Sequence, residues 1–186
     1  LYISACTGLS QAGALAAPSR LMMEKPIGQD SASAATILDA IAALISEDRV
    51  FRLDHYLGKA AVQNLMALRF GNTLLEAVWN RNHIESVHIL VAENGGVDGR
   101  DAYYARSGAL RDMIQSHLLH TMAVIAMGAP ATLGQRDVRD LIAATLRASS
   151  VPQDYARSTR RARWSAGEID GEEVEAYADS PGVEPD

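Results

Sequence analysis

The densest chemistry in the chain stands in one short stretch, Arg52-Leu53-Asp54-His55-Tyr56-Leu57-Gly58-Lys59. His55, Tyr56 and Lys59 offer an imidazole, a phenol and an ammonium at close spacing. That set suits a phosphate, which takes donors from several directions and at least one fixed charge. The plainer alternative is a solvated loop with a strand-end salt bridge. His117, in Leu110-Arg111-Asp112-Met113-Ile114-Gln115-Ser116-His117, falls on the apolar stripe of an expected helix. A histidine there is either a hydrogen-bonded core residue or, beside a carboxylate, a tuned general base. His120 follows on a similar face, so His117, His120 and a carboxylate would suit a metal. No third ligand stands at a recognised spacing, however. Glu93 continues the row of Val87, Ile89 and Val91, and there it pairs with a cation, lines a cleft or simply ends an exposed strand. Glu24-Lys25-Pro26-Ile27-Gly28 sets a lysine at a strand exit. The Lys25–Pro26 bond is a candidate cis peptide, because only X-Pro bonds reach that form cheaply.

These groups need elements to hold them. Leu1 to Ser4 and Arg20 to Met23 are short apolar runs bounded by Gly, Pro and Ser, and they predict buried strands. Asp30 or Ser31 caps a helix whose stripe is Ile37, Leu38, Ile41, Leu44 and Ile45. Val50 to Asp54 is a further strand. Strand, turn, helix, strand is a β-α-β unit, the building block of a parallel sheet. Its polar cluster then lies at strand carboxyl ends, where open α/β sheets place ligands.

Beyond Asp54 the character changes. Gly58 to Arg69 and Thr73 to Trp79 predict helices, and Ile84 to Glu93 a strand followed by a turn at Asn94-Gly95-Gly96. Gly108 to Met127 predicts a long helix with Leu110, Met113, Ile114, His117, Leu118 and Ile125 inward. Gln135 to Ala148 predicts another, with Val138, Leu141, Ile142 and Leu146 inward. The tail past Pro152 alternates Arg-rich and Glu-rich stretches and ends loop-like from Ser180 to Asp186.

Bulk composition narrows the function classes. The 186 residues are 48% hydrophobic and 22% charged, as in an ordinary globular protein. A net charge of −6 gives no global pull on nucleic acid or an anionic membrane. Cys6 is the single cysteine, which excludes an internal disulfide framework and makes a reducing, cytoplasmic setting the default expectation. No apolar run approaches the roughly 18 residues that span a bilayer.

Taken together, these segments resemble the glucose-6-phosphate dehydrogenase family. The resemblance runs through Glu24-Lys25-Pro26-Ile27-Gly28 and Arg52-Leu53-Asp54-His55-Tyr56-Leu57-Gly58-Lys59. It continues in Val62-Gln63-Asn64, Leu68-Arg69-Phe70-Gly71-Asn72, Val78-Trp79-Asn80-Arg81 and Gly108-Ala109-Leu110-Arg111-Asp112-Met113-Ile114-Gln115. It implies an α/β plus α+β chain: the C-terminal part of a Rossmann-type nucleotide domain over 1–54, then the first part of a substrate and dimerisation domain with an antiparallel sheet over 55–186. It implies oxidation of glucose 6-phosphate to 6-phosphogluconolactone by hydride transfer to NADP, or to NAD, in the oxidative pentose phosphate pathway. His117 is then the base and Asp54 orients it. His55, Tyr56 and Lys59 hold the phosphate, and Glu93 and Asp112 bond sugar hydroxyls. Lys25 lies between sugar and cofactor, with Pro26 beside the cofactor. No metal, nucleic acid or membrane is implied, and the full-length protein is expected to be a homodimer or homotetramer.

Some positions depart from the family pattern. Ser116 stands where Asn is usual, Ala60 where Glu is usual, and His120 where Gln is common; Ala5-Cys6-Thr7 replaces a Pro-containing turn. The Gly-rich turn that cradles a dinucleotide pyrophosphate is expected before Leu1, and further substrate lysines after Asp186. The chain therefore reads as an internal fragment, expected to be inactive by itself. The alternative is a non-catalytic sugar-phosphate-binding or assembly module. Asp112 sets a geometric difficulty. At about 100° per residue it lies roughly 140° from His117 on an ideal α-helix. The two share a cleft only if the helix begins near Asp112 or the cleft wraps its end.

Overall fold

The computed structural model describes residues 1–93, 97, 99–180 and 183. The chain divides into two compact units, Leu1–His55 and Tyr56–Asp186. The structure mixes helices with small sheets.

In the first unit, β1 (Leu21–Glu24) pairs in parallel with β2 (Val50–Leu53), with Leu21 opposite Val50 and Glu24 opposite Leu53. Between them runs α2 (Ser31–Ala42), so the expected β-α-β unit is present. Helix α2 starts where it does because Asp30 caps it. The Asp30 carboxylate accepts the Ser33 amide at 2.8 Å, and Ser33 Oγ accepts the Asp30 amide at 3.1 Å. Gly28 admits this entry: its φ is +77°, and a Cβ there would stand 2.5 Å from the Ala34 nitrogen. Met23 and Val50 from the sheet pack with Ile41, Ile45, Leu15 and Cys6 as the core.

The opening strand expected at Leu1 to Ser4 is instead the start of α1 (Tyr2–Gln11). A four-residue apolar run does not distinguish a buried strand from a helix segment. Helical spacing turns Tyr2 and Cys6 toward the core and leaves Leu1 fully exposed.

The second unit is mainly helical. It holds α3 (Ala60–Phe70), α4 (Thr73–Glu76), α5 (Asp101–Ala109), a π-helical segment (Leu110–Leu118), α6 (Leu119–Ala126), α7 (Gln135–Ala148) and α8 (Tyr155–Ser158). A small antiparallel hairpin follows, β3 (Gly167–Ile169) with β4 (Glu172–Val174). Asp170 and Gly171 turn it, both at positive φ. The expected strand over Ile84 to Glu93 is not formed: it has no ladder partner among the described residues. Alternating side chains mark a face, but a strand also needs a hydrogen-bonded neighbour. Val87, expected inward, is half exposed, and Leu90 is 90% exposed. The turn at Asn94-Gly95-Gly96 lies outside the described residues, as do Pro181, Gly182 and Glu184–Asp186.

One device fixes the end of α6. Arg69, 7% exposed, donates to the carbonyls of Val124 at 2.6 Å and Met127 at 2.8 Å. Trp79 Nε1 donates to the Ile125 carbonyl at 2.9 Å. The guanidinium also lies over the rings of Phe70 and Trp79. Helix C-termini leave carbonyls without helical partners, and these side chains supply donors to them. Burial lowers the Arg69 pKa, yet arginine keeps its proton in proteins. Two bonds from a charged donor, lost together, set the expected cost of Arg69→Ala in the full-length protein at about 3 kcal/mol of unfolding free energy. Denaturant titration measures it, and a loss below about 1 kcal/mol would rule out the capping role.

Candidate active site

At the carboxyl end of the parallel sheet, β1 delivers Glu24 and Lys25, and β2 delivers Asp54 and His55. His55 Nε2 lies 2.5 Å from Glu24 Oε1. The Tyr2 hydroxyl donates to the Glu24 carbonyl. Lys25 and Asp54 are half-buried, whereas His55 and Pro26 are exposed. The Lys25–Pro26 bond is cis, as is Ala17–Pro18. Arg52, in the same polar stretch, faces another way chemically: it makes a two-pronged pair with Glu47 at 2.5 and 3.0 Å. That hydrogen-bonded partner raises its pKa.

In the second unit the arrangement centres on Tyr56. Its ring stacks on the His117 imidazole, with centroids 4.3 Å apart and planes 22° from parallel. The Lys59 ammonium lies 3.8 Å from the same ring's centroid. The Tyr56 hydroxyl donates to the Glu93 carboxylate. Tyr56 thus ties an ammonium, a buried imidazole and a carboxylate into one constellation. His117 is 3% exposed and Lys59 is exposed, so the imidazole is shielded while the cation meets solvent. Among the described residues no three His, Cys, Asp or Glu side chains group as a metal site.

Glu93 also borders a cleft of about 370 Å³, shared with Arg100, Tyr104, Asp112, Ile114 and Trp164. The geometric difficulty over Asp112 resolves here. Gly108, at φ +65°, breaks the preceding helix, so the helical run carrying His117 starts close before Asp112. From Leu110 to Leu118 that run is π-helical, and the Leu119 amide still reaches back to the Ile114 carbonyl. In an i→i+5 ladder, residues five apart lie one above the other. Asp112 and His117 therefore share a side, where α-geometry would have set them apart. The same change of pitch leaves Leu110 62% and Ile114 42% exposed, although α-periodicity predicted both inward. Two hydroxyls support the segment: Ser116 donates to the Asp112 carbonyl at 2.8 Å and Thr121 to the His117 carbonyl at 2.9 Å. Such bonds compete with the regular helical ladder and accommodate distortion.

The structure thus gathers Tyr56, Lys59, His117 and Glu93, and sets Asp112 on the Glu93 cleft. It gathers Lys25, Asp54 and His55 at the sheet end of the other unit. Sequence reasoning missed Arg69, Trp79 and Tyr104. Nothing local marked them, because their partners are far away along the chain.

Residues 1–64 match the model of the glucose-6-phosphate dehydrogenase NAD binding domain, and residues 66–186 that of the glucose-6-phosphate dehydrogenase C-terminal domain. Glucose-6-phosphate 1-dehydrogenase of Gluconobacter oxydans is 45% identical over 98% of this chain and 38% of its own length. That of Zymomonas mobilis is 46% identical with the same coverage. A solved glucose-6-phosphate dehydrogenase in complex with glucose-6-phosphate superposes with a TM-score of 0.83 at 36% identity, covering 98% of this chain and 37% of that one. A crystal structure of glucose-6-phosphate 1-dehydrogenase from Mycobacterium avium gives 0.79 at 34% identity, covering 98% of this chain and 38% of that one. The chain spans a little over a third of the length of these relatives. No helix among the described residues is long and apolar enough to cross a membrane. On these matches, over the same segments that carry the site, the chain belongs to the glucose-6-phosphate dehydrogenase family.

Proposed function

We propose that the full-length protein containing this chain oxidises glucose 6-phosphate at C1 to 6-phosphogluconolactone, with NADP as the preferred acceptor. The Tyr56 constellation carries this reading, since it sets a buried imidazole beside a solvent-facing ammonium and a carboxylate. His117 removes the C1 hydroxyl proton, and Asp54 of the first unit is its orienting carboxylate in the full-length enzyme. His55, Tyr56 and Lys59 hold the phosphate. Contacts there, remote from C1, supply binding energy that fixes the reacting geometry. Glu93 and Asp112 accept from sugar hydroxyls.

The β-α-β unit fits a nucleotide-binding half, because its parallel strands end at Lys25-Pro26, where such sheets take ligands. Lys25 and Pro26 would hold the dinucleotide, which when bound supplies the hydride acceptor. The domain boundary lies at the junction between Asp54 and His55. The full-length protein acts as a homodimer or homotetramer in the cytoplasm.

The test follows dinucleotide reduction by the full-length protein. Reduction dependent on glucose 6-phosphate is expected, with kcat/KM for unphosphorylated glucose lower by at least about a hundredfold, the scale of one or two charge-assisted hydrogen bonds. Equal use of the two sugars would overturn the reading.

A further inference from the structure

We propose that Tyr104 is a further substrate-contacting residue, whose phenolic hydroxyl donates to the oxygen of a sugar hydroxyl in the cleft shared with Glu93 and Asp112. The inference rests on the proposed function and adds the donor that this cleft needs. Ionised carboxylates accept hydrogen bonds and donate none. A sugar hydroxyl that donates to Glu93 or Asp112 still has an oxygen to satisfy, and a buried acceptor without a donor is costly. The cleft offers few donors. Trp164 Nε1 is taken by the Glu175 carbonyl at 3.1 Å. Arg100 turns its Nε to the Val97 carbonyl at 3.4 Å. Tyr104 borders the cleft, and among the described residues its hydroxyl has no hydrogen-bond partner. Tyr56 and Tyr2, by contrast, both spend theirs within the chain.

The ring is also held in place. Tyr104 packs edge-on against Tyr177 with centroids 6.1 Å apart, and Tyr177 is 7% exposed and lies 4.6 Å from Trp164. An aromatic side chain clamped in this way presents its hydroxyl with little loss of rotamer freedom on binding. Its surroundings keep the proton on the phenol: burial foremost, then the charges of Asp112, Tyr177 and Glu93, all raise its pKa. A neutral phenol remains a donor across the working pH range.

Tyr104→Phe in the full-length enzyme tests this, because it removes one oxygen and keeps the ring. KM for glucose 6-phosphate is expected to rise about tenfold, more than kcat falls, with an unchanged Tm. Against the 2-, 3- and 4-deoxy analogues, the wild type penalises loss of the contacted hydroxyl, and the variant loses that penalty for one analogue only. An unchanged KM, or an equal loss on all three analogues with a lowered Tm, overturns the proposal. Glu93→Gln and Asp112→Asn run alongside. If they raise KM and Tyr104→Phe does not, the tyrosine assignment alone fails. If none of the three changes kcat/KM, the sugar site of the proposed function fails with it.

Discussion

Replacing His117 with alanine in the full-length protein is expected to lower kcat for glucose 6-phosphate by about 10²- to 10⁴-fold, the usual contribution of a positioned general base. Binding of glucose 6-phosphate, measured by calorimetry, should change far less, since the phosphate contacts lie elsewhere on the constellation. The magnitude is what discriminates. His117 is 3% exposed and stacked on Tyr56, so its loss also removes an aromatic contact. Such a contact is worth about 0.5–1.5 kcal/mol, roughly a tenfold effect at most. A kcat loss beyond a hundredfold therefore assigns proton removal to His117, and a loss within tenfold assigns it a packing role only.

Lys59→Ala is expected to act on the other quantity. A hydrogen bond to a charged group contributes about 1.5–3 kcal/mol, so affinity for glucose 6-phosphate should fall about 10- to 150-fold while kcat at saturation changes little. Lys59 is exposed, which makes this affinity sensitive to ionic strength, and the sensitivity should shrink in the variant. The competing account is that Lys59 serves only as the cation over the Tyr56 ring, 3.8 Å from its centroid. That contact at an exposed site is worth about 0.5–1 kcal/mol of stability and nothing in substrate affinity. Unchanged affinity would decide for it.

The legible parts of the chain were those whose causes are local. The turn at Glu24 to Gly28, the Asp30 cap, the Ile37-to-Ile45 stripe and the run from Val50 announce a β-α-β unit within about thirty residues, and the structure contains it. Helix α7 matches its expected limits, Gln135 to Ala148, because its apolar spacing is regular throughout. Elements that depend on distant partners were not legible. Ile84 to Glu93 alternates like a strand, but pairing decides whether one forms. The Asp170-Gly171 turn is a recognisable signal, yet its flanks are short and polar and show no period. The candidate site divides in the same way. The Asp54-to-Lys59 stretch stands out by composition alone. The stacking of Tyr56 on His117 and the placing of Tyr104 beside Asp112 belong to tertiary structure.

The π-helical segment also says something about chain length. Substitutions between Asp112 and His117 leave the two residues on one side of the helix as long as their count is kept. Removing one residue while normal α-pitch returned would swing them apart by about one residue step, roughly 100°. The stretch Leu110 to Leu118 is therefore a spacer gauged in whole residues. Among relatives it is free to vary in what it contains and not in how long it is.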